Sequence, residues 1–258
     1  MQPATWVLLI GLGIFTGSVA GLLGIGGGLL IVPILTLAGL SLVQATATSL
    51  VGVFLSAVSG SIHNWRAGQL NLPYALGLAL FGMPTAQLGA WLADRLPEAW
   101  LAFGFAGLML VTIYFMNLKQ TLQQVATADP VAASPRQILP VIGIGLLAGL
   151  LSGLFGIGGG AVMVPLQMLF LGEVIKAAVC TSLGAIVLIS VSGLAQHAWN
   201  HNVLWIPGLC LGLGGMLGAQ FGTRLLPRIP DQTVNLLFRL LLIALSIYMM
   251  SKGIYAWR

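Results

Sequence analysis

One seventeen-residue stretch of this chain occurs twice. Residues 17–33 read GSVAGLLGIGGGLLIVP and residues 149–165 read GLLSGLFGIGGGAVMVP, with ten identities at a constant offset of 132. The correspondence continues downstream. Thr48-Ser49-Leu50 answers Thr181-Ser182-Leu183, Ser59-Gly60 answers Ser192-Gly193, and Trp65, Pro73 and Ile113-Tyr114 answer Trp199, Pro207 and Ile247-Tyr248. A repeat of this extent means two copies of one structural unit. We place the first at 1–116 and the second at 138–258, joined by a polar linker at 117–137 that carries Lys119, Asp129 and Arg136.

Each unit holds five apolar segments, at roughly 5–24, 27–41, 45–64, 72–92 and 97–116, then 138–156, 159–172, 177–197, 204–222 and 232–251. Most approach the ~20 residues that span a bilayer as helix. Only 6% of residues are charged, against roughly 25% in a soluble domain. Ten-residue alternating strand patterns are absent, so an outer-membrane barrel is excluded. The expected fold is an all-α polytopic membrane protein with two homologous repeats and the lipid bilayer as its surroundings. Residues 6–25 resemble a signal peptide at Ser18-Val19-Ala20, but no Lys or Arg precedes them and the segment recurs mid-chain, so we read a retained helix. All seven tryptophans sit at or near segment ends, as an interfacial belt requires.

The second segment of each unit is too short for a full crossing and contains a proline, Pro33 or Pro165. It reads equally as a half-helix, a re-entrant segment or a short buried span. Five crossings per unit would invert the second copy relative to the first, and four would leave the copies parallel. With ten crossings, Arg66, Lys119, Arg136, Lys176, Arg224 and Arg228 share one face, while Arg95, Lys252 and Arg258 share the other. The excess of basic residues marks the cytoplasmic side. The expectation is therefore inverted repeats in a bacterial inner membrane, with a cytoplasmic linker and periplasmic termini. The basic residues are scattered singly, which excludes nucleic acid as a partner.

Chemistry is expected at the glycine runs. Three successive glycines inside an apolar segment weaken a helix and free its backbone groups. Such a break is tolerated in a membrane only within protein or beside a water-filled cavity. A helix restarting after it presents amide N–H groups and a positive dipole end, which suit an anion. Paired breaks at matching positions in two repeats point to a transporter's binding site. Candidate substrate-binding residues are Gly26, Gly27, Gly28, Gly158, Gly159 and Gly160, with the nearby hydroxyls of Thr48, Ser49, Thr181 and Ser182. Those hydroxyls could equally bond their own helix carbonyls. Arg239, about 12 Å along its helix from Asp231, either attracts anions or snorkels to the interface. The glycines at every fourth position, Gly13, Gly17, Gly21 and Gly145, Gly149, Gly153, read as close-packing ridges.

Other chemistries find no support. No Walker motif occurs, His197 and His201 lack the intervening glutamate of a zinc protease, and Cys180 and Cys210 lie in apolar segments. No metal, cofactor or catalytic constellation is expected, and the chain does not read as an enzyme. Asp94, Glu98, Asp129, Glu173 and Asp231 all fall in loops or at segment edges. No carboxylate lies mid-membrane, against the usual proton and cation sites.

GLLGIGGG…VP in one half and GLFGIGGG…VP in the other, with the Thr-Ser pairs, resemble the TauE/SafE sulfite exporter family, also described as toluene-sulfonate uptake permeases. The resemblance covers nearly the full length. It implies a secondary transporter, as an exporter, of a small anion such as sulfite, a sulfonate or another organosulfur acid, with protons as a candidate coupling ion. An anion-selective channel, a carboxylate transporter and an intramembrane enzyme are the alternatives. The resemblance carries no established list of functional residues.

Overall fold

The computed structural model describes residues 3–23, 26–125, 138–173, 175–225 and 231–257. Gly24 and Ile25 of the first glycine run, the rest of the linker, Arg228 and Arg258 lie outside the described residues. The described residues form ten α-helices and no strand: α1 (Pro3–Leu23), α2 (Gly28–Leu37), α3 (Leu42–Arg66), α4 (Leu72–Ala93) and α5 (Glu98–Val125), then α6 (Ile138–Phe155), α7 (Gly160–Leu171), α8 (Ile175–Trp199), α9 (Trp205–Leu225) and α10 (Asp231–Trp257). The two sets of five match the repeat. α5 runs on to Val125, through the first positions of the expected linker.

Side chains are distributed as a bilayer demands. Leu80, Leu139, Leu213 and Phe221 are 65%, 79%, 55% and 63% exposed, while Thr48, Ser49, Ser152, Thr181, Ser182 and Ser190 are wholly buried. An apolar exterior of this extent has no place in water. Four helices, α3, α4, α6 and α8 over Ala177–Trp199, are long and apolar enough to cross a membrane.

Named contacts fix the helix directions. At one end, Glu98 at the start of α5 accepts from the Leu42 amide at the start of α3 (3.2 Å) and pairs with Lys252 near the end of α10 (2.9 Å). Asp94, after α4, accepts there from Asn200 and Asn202, between α8 and α9. At the opposite end, the Cys180 thiol at the start of α8 meets Gln69, between α3 and α4, at 3.8 Å. So α3 and α8 run in opposite directions, as do α4 and α9, and α5 and α10. We call the first end the terminus end and the second the linker end.

The glycine ridges seat the first helix of each half on the fourth helix of the other. A Cβ on Gly21 would lie 2.5 Å from the Ala219 carbonyl oxygen of α9, and one on Gly145 would lie 2.6 Å from that of Leu78 in α4. Gly13 and Gly17 meet Leu211 and Gly215, and Gly149 and Gly153 meet Gly82 and Ala86. Residue numbers rise together in both pairs, so α1 runs parallel to α9 and α6 parallel to α4. Backbones approach this closely only where side chains are absent. Each half therefore depends on the other for its first helix.

Candidate functional site

The short helices turn back. A Cβ on Gly27 would lie 3.3 Å from Ala20 Cβ and one on Gly159 would lie 2.6 Å from the Ala148 carbonyl, so each short helix starts beside the body of the helix before it. α2 then ends four residues before α3 begins at the terminus end, and α7 ends as closely before α8 at the linker end. Each pair α1–α2 and α6–α7 is thus a re-entrant hairpin whose second arm, of 10 and 12 residues, is about 15–18 Å long. This resolves the short segments. Each hairpin enters and leaves by one end.

Gly27 and Gly159 are the N-caps, with φ of 73° and 78° and no side-chain cap. Only glycine adopts this left-handed region without strain, which is why the helix restarts here. Gly27 O accepts from the amides of Leu30 and Ile31, and Gly159 O from those of Val162 and Met163. The amides of Gly28, Leu29, Gly160 and Ala161 have no acceptor among the described residues. Pro33 and Pro165, six residues into the short helices, remove a further backbone donor from each.

The two breaks meet. A Cβ on Gly26 would lie 3.1 Å from the Ile157 carbonyl, and Gly28 abuts Gly156 and Ile157. A Cβ on Gly158 would lie 2.7 Å from Val53 and 3.0 Å from Ile186, each near the middle of its long helix, α3 or α8. The two breaks are therefore neighbours at mid-height, where Gly26 and Gly158 face both Val53 of α3 and Ile186 of α8 and Gly28 faces Val53.

The hydroxyls divide. Ser49 Oγ lies 2.8 Å from the Gly156 carbonyl and 2.7 Å from that of Thr46, so it satisfies the carbonyl that the second break frees. Thr48 Oγ1 accepts from the Leu204 amide at 3.2 Å, tying α3 to the start of α9. Ser182 donates to Val179 of its own helix at 2.9 Å. Thr181 is fully buried, with its hydroxyl beside the Glu173 carboxyl. Arg239 is partly buried on α10, which packs on α5.

Sequence reasoning passed over several polar residues. Ser152 and Gln167 are wholly buried, and Ser152 Oγ and both amide atoms of Gln167 lack partners. A glutamine inside a twelve-residue apolar helix was the visible signal. His197 meets the Gly153 carbonyl at 3.0 Å through Nε2 and holds the tip of α6. Glu173, assigned to a segment edge, is half-buried between α7 and α8 with Oε2 shielded from solvent. Burial pushes its carboxyl up to about 7, although Thr181 and Asn71 beside it favour the charged form. Among the described residues no group of three His, Cys, Asp or Glu side chains could hold a metal ion.

The family model of the sulfite exporter TauE/SafE matches residues 9–249. The chain is 28% identical to a probable membrane transporter protein, YunE, of Bacillus subtilis, over 98% of this chain and 100% of that one. It is 29% identical to a probable membrane transporter protein of Xylella fastidiosa (98% of each). A third such protein, MJ0441 of Methanocaldococcus jannaschii, is 25% identical over 94% of each. No solved structure is significantly similar.

Proposed function

The chain belongs to the TauE/SafE sulfite exporter family of membrane transporters, and from that premise we propose that its two glycine breaks bind a small oxyanion, sulfite or an organosulfonate, as the transported substrate. The observation that carries this reading is the meeting of two glycine breaks at mid-height of the bundle, each followed by an uncapped helix N-terminus. Each brings roughly half a positive charge and unpaired amides. The Thr181 hydroxyl, beside the Glu173 carboxyl, is a further donor on the second half. Anion and breaks are matched in charge without any basic side chain at the centre.

In this reading the halves are inverted repeats and the linker end is cytoplasmic. The opposed directions of α3 and α8, α4 and α9, and α5 and α10 support the inversion, and the basic excess at the linker end supports the orientation. Alternating access follows if each hairpin, carried on the opposite half's fourth helix, rocks against α3 and α8. The direction of net transport is export, as the family's description has it.

The test is a binding screen on detergent-purified protein by thermal shift, against sulfite, thiosulfate, sulfoacetate, taurine and simple carboxylates. Saturable stabilisation by a sulfur oxyanion, followed by saturable flux in liposomes, is expected. Flux that does not saturate would replace the transporter with a channel, and stabilisation by carboxylates alone would replace the substrate class.

A further inference from the structure

The second half buries polar groups that its packing does not use. Gln167 lies between Met163 and Leu171 on one face of α7, and both of those residues pack in one cluster with Tyr74 and Ala185. Thr181 lies between Ala178 and Ala185 on α8, and Ala178 packs on Val164 of α7. Gln167, Thr181 and Tyr74 thus share the junction of α4, α7 and α8, on the linker side of the glycine cluster. Glu173 closes this junction at the linker end. Buried polar groups are normally hydrogen-bonded, and each exception requires a reason. Here Gln167 Nε2 and Oε1 are buried polar atoms without partners, in the same region as the Thr181 hydroxyl and the Glu173 carboxyl that it faces. The positions equivalent to Gln167, Ser152 and Glu173 in the first half are Leu35, Ala20 and Leu40, so the repeat fold does not require them.

We propose that Glu173 is a proton-binding site at the linker end of the second hairpin, and that the anion passes between the linker end and the breaks only while Glu173 is protonated. The inference rests on the anion reading of the breaks. Its chemistry is simple. A proton from water at the linker end adds to Oε2, removing the charge that repels an incoming anion and supplying a donor to it. Gln167 Nε2 and the Thr181 hydroxyl are the next donors toward the breaks. Because binding couplings are reciprocal, the anion in turn favours the protonated carboxyl, and the two move together.

Among the described residues, the groups that face the carboxyl are the Tyr74 phenol and Asn71 from α4 and the turn before it, and the Cys180 thiol and Thr181 from α8. Tyr74 and Cys180 are the titratable ones among them. The carboxyl is raised to about 7 by burial, so the protonated fraction falls from about 0.9 at pH 6 to about 0.1 at pH 8.

The experiment uses the full chain in liposomes, wild type beside E173Q and T181V, each checked for monodispersity before reconstitution. Infrared pH-difference spectra should show a protonated carboxyl band that titrates near neutral pH in the wild type and is missing in E173Q. In T181V, which loses a group that favours the charged form, the band should titrate at higher pH. Exchange of labelled thiosulfate, whose charge is constant over this range, should fall about ninefold between pH 6 and pH 8 in the wild type. In E173Q it should stay at the pH 6 level throughout. A Glu173 band titrating in the ordinary carboxylate range, or an E173Q protein with the wild-type pH slope, overturns the proposal. Should E173Q fail to fold, the T181V shift decides it, and an unmoved midpoint counts against the site. If neither protein binds or exchanges thiosulfate or any other anion of the screen, the anion reading fails, while the infrared band still decides whether Glu173 binds a proton.

Discussion

Alanine at the two N-cap glycines should have unequal effects, although the sequence makes them equivalent. Both hold left-handed φ angles, 73° at Gly27 and 78° at Gly159, and a side chain there costs about 1–2 kcal/mol. Their surroundings differ. A Cβ on Gly27 meets Ala20 Cβ at 3.3 Å and the Thr16 carbonyl at 3.5 Å, which a shift of a few tenths of an ångström accommodates. A Cβ on Gly159 meets the Ala148 carbonyl oxygen at 2.6 Å, so backbone must move. Overpacking of that kind adds about 1–3 kcal/mol. The expected cost is therefore about 1–2 kcal/mol for Gly27→Ala and about 2–5 kcal/mol for Gly159→Ala. At roughly 2–4 °C per kcal/mol for a chain of this size, Gly159→Ala should melt several degrees below Gly27→Ala. Gly11, in a helix with nothing within 4 Å of its Cβ position, supplies a control of opposite sign, since Gly11→Ala gains up to about 1 kcal/mol of helix propensity. Thermal unfolding of the three detergent-purified variants measures all of this. Equal melting of Gly27→Ala and Gly159→Ala, or stabilisation by either, would refute the hairpin geometry.

Ser49→Ala should cost about 1–3 kcal/mol in the same assay, because it leaves the buried Gly156 carbonyl without its hydroxyl partner. Ser182→Ala should cost less, since its hydroxyl returns to a carbonyl of its own helix. Reporter fusions should place residues 117–137 in the cytoplasm and Arg258 outside; a cytoplasmic reading at both sites would remove the inverted arrangement. Arg239→Gln should leave saturating anion binding within about twofold, because the breaks supply backbone amides to the anion. A tenfold weakening, rescued by Arg239→Lys, would restore it as an anion-attracting group.

Much of the fold was legible because a bilayer leaves few choices. Apolar length forces helices, and the repeat forces the second half to copy the first. The breaks were legible too, since GIGGG has no other use in a membrane helix than to end it or to let backbones touch. The structure shows both uses at once. Gly27 and Gly159 end and restart helices, while Gly28 and Gly156 let the two breaks meet. The hairpins were not legible, because ten apolar residues describe a half-helix and a buried span alike, and only contacts such as Gly27 with Ala20 fix the direction of return. The division of hydroxyls was equally hidden. Ser49 and Ser182 occupy matching positions, yet Ser49 reaches across to the other half's break at Gly156, a contact 107 residues distant in the chain.

The least legible part is where the halves depart from one another. A twofold bundle with identical breaks would present an anion with the same approach from either end, and nothing in the shared frame would distinguish them. The frame is indeed shared: glycine ridges, N-caps, prolines and Thr-Ser pairs all occur twice. Not all of the buried polar residues do. Gln167, Ser152 and Glu173 replace Leu35, Ala20 and Leu40, and Gln167 and Glu173 lie toward the linker end of the second hairpin. Repeat symmetry therefore builds the path, and these exceptions make the approach along the second hairpin differ from that along the first. A transporter that works in one direction needs its two approaches to differ in what they demand of the anion. In this chain the difference is concentrated in the α7 arm and its junction with α4 and α8, where an anion coming from the linker end meets an amide, a hydroxyl and a titrating carboxyl before it meets a helix N-terminus.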